Sequence, residues 1–141
     1  MGYTFFTDRD LGKQFPSRLR EAGLVVELHG DHFAADTPDA QWLAEVGGRR
    51  WIAITHDERI RYKTNELAAV VQHRVGMLLI VGRAPFPVLA EYFVRTLPRI
   101  EAFLGDNQPP YIAKVHRPTP HELARREDAP GSIQLWYPVG R

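Results

Sequence analysis

The run Trp51-Ile52-Ala53-Ile54-Thr55 is apolar and too short for a helix, and it stops abruptly at His56-Asp57-Glu58. A strand buried on both faces suits such a run best. A chain with that strand near its middle has to cover two faces of a sheet, which is what helices do in α/β domains. The polar residues ending the run then emerge at the carboxyl rim, where open α/β sheets bind ligands. A second run, Tyr3-Thr4-Phe5-Phe6-Thr7-Asp8-Arg9-Asp10, ends in the same way. Two strands that deliver aspartates to one edge gather negative charge, and burying it is costly unless a cation compensates. A divalent metal is the simplest such cation.

Strand and helix signals alternate from Tyr3 to His116, which predicts a parallel sheet with helices on both faces. Pro16 suits a first helical turn and Gly23 a C-terminal cap, so a short helix lies between the first strand and Leu24–His29. Gly30 to Thr37 reads as a polar loop. Thr37 as N-cap, Pro38 at N1 and Asp39 in the first turn open a helix to Val46, which Gly47-Gly48 should stop. Thr64-Asn65-Glu66 caps the next helix, running to about Val75, and Met77–Val81 is a fourth buried strand. Apolar residues recur at helical spacing from Pro85 to Leu104, with Pro98 expected to kink or divide that helix. Tyr111–His116 reads as a last core or edge strand. The expected architecture is a three-layer α/β/α domain over 1–117 with a mainly parallel sheet of four to five strands. Residues 118–141, charged and proline-bearing before the alternating run Ser132–Tyr137, form an extension packed on it.

With 141 residues the chain suffices for one core. A formal net charge of +1 supplies no overall field toward nucleic acid or membrane, so binding of a polyanion requires local basic clusters. The absence of cysteine excludes thiolate chemistry and leaves any metal to oxygen or imidazole ligands. No signal-peptide pattern or bilayer-length apolar run is present, and the expected location is cytoplasmic.

The strongest constellation is Asp8, Asp39 and Asp57, with Asp10 beside the first. Two follow strands and one opens a helix between them, so a parallel sheet can bring all three to its carboxyl edge. Oxygen-only sites suit Mg²⁺ or Mn²⁺, which can activate water for attack on phosphorus. Turn-forming and helix-capping roles are the ordinary alternative for each acid. Thr7 and Thr55 could orient a carboxylate or water, or be plain strand residues. His56 alternates away from Thr55 and Asp57 and is assigned a structural role. Arg9 and Lys13 near the first acid, Arg59, Arg61 and Lys63 after the third, and Arg83 after the fourth strand could meet an RNA backbone. Tyr62 could stack on a base.

Thr7-Asp8 after the first strand, Thr37-Pro38-Asp39-Ala40-Gln41-Trp42-Leu43 opening a helix, and Trp51 to Asp57 ending a strand resemble the PIN-like nuclease domains related to VapC-type toxins. The resemblance covers about Tyr3 to Leu104. It implies a Mg²⁺- or Mn²⁺-dependent ribonuclease, the toxin of a toxin-antitoxin pair, with Asp8, Asp39 and Asp57 as catalytic metal carboxylates; Asp10, weighted above Glu45 and Glu58 as a source of the missing charge, is added as a further candidate ligand. RNA, a cognate antitoxin and a second copy of the chain are the expected partners. The chain departs from the pattern in two places: Asp10 stands where many relatives carry Asn, and Gly82-Arg83-Ala84-Pro85 holds no fourth acid. A PIN-like module that binds RNA or protein without cleaving is therefore the alternative. A receiver-like domain is disfavoured, because the only lysine on a later core strand is Lys114 in an unrelated context.

Overall fold

The computed structural model describes residues 2–57, 59 and 63–138. Glu58, Arg61 and Tyr62 therefore lie outside the described residues. Six strands form one sheet in the order β2-β1-β3-β4-β5-β6: β1 (Thr4–Thr7), β2 (Val25–Leu28), β3 (Ile52–Thr55), β4 (Gly76–Ile80), β5 (Tyr111–His116) and β6 (Ser132–Tyr137). The first five pair in parallel and β6 returns antiparallel to β5. The late alternating run is thus the sixth strand of the same sheet.

Alternation along the strands divides two cores. Phe5, Ile52, Ile54, Leu78 and Ile80 point to the face covered by α1 (Gln14–Glu21) and α5 (Phe86–Asp106). Phe6, Ala53, Met77 and Leu79 point to the opposite face, with Trp42 and Leu43 of α3 (Asp39–Arg49) and Ala69 and Val70 of α4 (Thr64–Gln72). This is the three-layer α/β/α arrangement expected from the sequence. On the second face Phe6 stacks between Trp42 and Trp51, at centroid distances of 5.3 and 6.0 Å. Truncating such a ring to alanine costs about 3–5 kcal/mol.

Several local expectations change. Thr37 does not cap α3; Pro38 is the N-cap residue and no side chain caps the turn. Nor do Gly47-Gly48 stop that helix, which continues to Arg49 and ends with Arg50 at φ 59°. Gly47 lies against the last turn of α4, where a Cβ would come within 2.1 Å of the His73 carbonyl oxygen, so it serves helix packing and not termination. Pro98 does not divide α5, which remains one element of 21 residues. The loop expected at 30–37 begins as a short helix, α2 (His29–His32).

The chain after β5 is fastened to α5. The buried Thr96 hydroxyl donates to the Tyr92 carbonyl (2.7 Å) and accepts from the Gly131 amide (2.9 Å), and Arg99 donates to the Gly131 carbonyl (2.7 Å). A Cβ at Gly131 would reach within 1.8 Å of the His116 carbonyl oxygen, so only glycine fits there. These contacts follow α6 (Pro120–Arg125), held by a capping box between Thr119 and Glu122. At the other margin of the sheet, Arg20 of α1 donates through Nε (3.1 Å) and Nη2 to the Val26 carbonyl of β2.

Candidate metal and RNA site

Asp8 continues the β1 ladder by donating its amide to the Ile54 carbonyl (3.0 Å), then turns the chain by accepting the Arg9 amide (2.7 Å). The resulting 3-10 turn over Arg9–Leu11 brings Asp10 back toward the end of β3. There Thr55, 1 % exposed, lies 3.1 Å from one Asp8 oxygen and 3.2 Å from one Asp10 oxygen. The same hydroxyl accepts the Asp57 amide (3.2 Å), and the His56 amide donates to Asp10 (3.1 Å). A hydroxyl has one proton to give. It can satisfy one of the two carboxylates at a time.

The electrostatics reflect that shortage. Burial, only partly offset by the Arg9 amide, raises the Asp8 carboxyl above its ordinary value, and Asp39 adds repulsion. Although Asp10 is exposed as a residue, its carboxyl leans inward; burial and then the neighbouring Asp8 push it up to about 6. Asp39, at the start of α3, is oriented by the Trp42 indole, which donates to it at 2.9 Å. The i,i+3 spacing of this pair makes the contact local to one helical turn.

Asp57 differs. Burial alone would raise it, but Lys63 (2.5 Å) and the Arg59 amide (3.0 Å) outweigh burial and hold its carboxyl below the ordinary value. The Arg59 guanidinium stands 3.7 Å away. Lys63 is correspondingly raised by its hydrogen bond to Asp57, with Asp39 contributing. The expectation that Asp8, Asp39 and Asp57 converge on one ion is therefore not met as stated: among the described residues no group of three or more His, Cys, Asp or Glu could hold a metal ion. The structure brings Asp8 and Asp10 together, sets Asp39 within electrostatic reach, and gives Asp57 a lysine.

Two partly buried carboxyl groups that share one hydroxyl proton and resist ionisation form an oxygen donor set suited to a hard cation that keeps several waters. Asp8 and Asp10 are therefore the residues that could hold a divalent ion. Asp57 does not fit as a ligand while Lys63 occupies it.

Of the two threonines, Thr55 makes these contacts, whereas Thr7 is buried and lines a cavity of about 390 Å³ beside Asp8. Arg9 and Lys13 are exposed on that cavity, Arg9 also donating to the Ala35 carbonyl (2.8 Å). Arg83 is exposed, its carbonyl accepting from Arg117 (3.2 Å). His56 is structural, bonded to the Gly82 carbonyl (2.9 Å) and edge-on to Phe86. Sequence reasoning missed His29. It is 3 % exposed, packs among Phe6, Phe33 and Trp42, and has an unpartnered Nδ1. Burial lowers its pKa, against the pull of Asp8. Its position directly after β2 was the one available signal.

No curated protein and no solved structure matches the chain. Residues 3–82, which hold both strand-end acids, α3 and β4, match the sequence model of the family described as a PIN like domain. That match spans more than half of the 141 residues and coincides with the acidic edge, and the chain belongs to the PIN-like domain family.

Proposed function

We propose that the protein is a metal-dependent endoribonuclease that acts in the cytoplasm as the toxin of a toxin-antitoxin pair. One observation carries the nuclease reading: at the carboxyl edge of a PIN-like sheet, Asp8 and Asp10 crowd one Thr55 hydroxyl, and neither is in an ion pair among the described residues. Asp8 and Asp10 hold Mg²⁺ or Mn²⁺, with Asp39 adding charge from α3. An ion held there would stabilise developing charge on phosphate oxygens and lower the pKa of water. Thr55 orients whichever of the two carboxylates receives its one proton. Arg9, Lys13, Arg59 and Arg83 contribute positive charge for the RNA backbone.

The test is cleavage of RNA by the purified full chain with Mn²⁺ or Mg²⁺. Wild type should cleave, and Asp8→Asn and Asp10→Asn should not. Equal cleavage by all three discards the assignment. The toxin role rests on the resemblance to VapC-type toxins; growth arrest on expression, relieved by Asp10→Asn, tests it.

A second reading, a PIN-like module that binds RNA or a protein partner without cleaving, is favoured by Lys63. Its ammonium sits where a third carboxylate would otherwise be available, leaving a cationic feature beside the acids. RNA binding without turnover under any divalent ion would select this reading.

A further inference from the structure

At the end of the sheet away from the acids, where β1, β3, β4 and β5 begin, a cavity of about 460 Å³ opens between the C-termini of α3 and α4 and the end of α5. Its floor is a cross-strand row, Ile52, Gly76 and Tyr111, in direct register. Gly76 keeps it clear, because a Cβ there would stand 2.8 Å from the Tyr111 hydroxyl and 3.4 Å from Ile52.

Three features make this a site and not a packing fault. First, Tyr111 is 2 % exposed as a residue, and its hydroxyl is neither hydrogen-bonded among the described residues nor sealed from solvent, so the little of it that is exposed offers a free donor to the cavity. Tyr3, half-buried on the same wall, does not pair with it. Burial holds the phenol well above its ordinary pKa, so it stays a donor. Second, Arg50 and Arg74 line the cavity with exposed side chains in no ion pair or hydrogen bond among the described residues. Third, both adopt left-handed backbone, at φ 59° and 54°, where glycine is the usual occupant after a helix. Basic residues at helix ends do offset the dipole, but that accounts for roughly half a charge at each terminus. Two guanidiniums leave a net positive balance, and no acidic residue among the described residues lines the cavity.

The geometry points to a second ligand site that takes a nucleoside monophosphate, its phosphate on Arg50 and Arg74, its base against Tyr3, and the Tyr111 hydroxyl donating to it. The volume lies in the range of small-molecule sites. Paired guanidiniums suit phosphate, and aromatic walls suit a base. The Asn107 amide, donating to the Phe103 carbonyl at 2.9 Å, turns its oxygen into an oriented acceptor on the rim. This site is separate from the acidic edge and does not rest on the nuclease reading.

Calorimetric titration of the full chain with AMP and with UMP tests it. Saturable binding is expected, weakened about tenfold or more in Arg50→Gly/Arg74→Gly, whose glycines keep the left-handed backbone. Tyr111→Phe should weaken it about three- to tenfold. If the glycine pair does not fold by thermal melting, Arg50→Asn/Arg74→Asn carries the same expected loss, since Asn also tolerates this backbone. Asp10→Asn should bind as wild type does, which separates failure here from failure at the acids. No saturable binding at millimolar AMP and UMP, undiminished binding by the arginine variants, or equal affinity for inorganic phosphate alone would each overturn the assignment.

Discussion

Asp10 and Asp57 sit at one edge of one sheet, two or three residues beyond the ends of neighbouring strands, and they titrate in opposite directions. Asp10 faces another carboxylate and a hydroxyl with a single proton, whereas Asp57 faces an ammonium. Burial acts on both in the same sense. The sign is decided by the partner, and the partner tells which carboxylate still has charge to offer a ligand.

The sharpest way to break this comparison is activity. Asp10→Asn or Asp8→Asn should lower metal-dependent RNA cleavage by about 100-fold or more, in line with the loss of a ligand-holding group. Measured rates that fall only for Asp57→Asn would reverse the roles. Thr55→Val comes next: it strands two carboxylates and the Asp57 amide without their shared partner, and should cost about 1–3 kcal/mol in denaturant unfolding.

Thermal melting of metal-free protein against pH sharpens it further. The Asp10 carboxyl binds a proton more tightly folded than unfolded, so its contribution to stability is fully present below about 4 and is lost as pH rises to about 6. Asp10→Asn should flatten that window and raise stability at neutral pH, and added Mg²⁺ should do the same for wild type. Asp57 works oppositely: its stabilisation is present above the ordinary carboxylate pKa and is lost as pH falls below it. Asp57→Asn should therefore lower stability at neutral pH, by about 1 kcal/mol for a partly exposed pair. The smallest effect expected is a few-fold tighter Mg²⁺ affinity in Lys63→Gln, read by calorimetry, because removing the ammonium returns Asp57 to the site.

The strands were legible because both faces of this sheet are buried, and continuous apolar runs such as Met77–Ile80 have no other use in a chain this short. Helix ends were less so. Gly47 looks like a stop signal in one dimension and becomes a contact surface for His73 in three. Asp8 and Asp10 were recognisable as strand-end acids, yet that both turn to Thr55 depends on a three-residue turn that no periodicity marks. Lys63 was read as one of several cations for RNA. Its engagement with Asp57 was invisible because residues six apart are neighbours on neither a helix nor a strand. His29 offered only its place directly after β2, since its packing against Trp42 follows from a four-residue helix that begins where the strand was expected to end.

The guanidinium of Arg20 on the Val26 carbonyl has a consequence for assembly. β2 is the outermost parallel strand, short and with Val25 55 % exposed, the kind of margin on which another polypeptide can zip itself. A charged side chain from the preceding helix already holds an acceptor of that margin, so a newcomer would have to evict it before docking edge to edge. Recruitment by backbone templating is thereby discouraged on this flank.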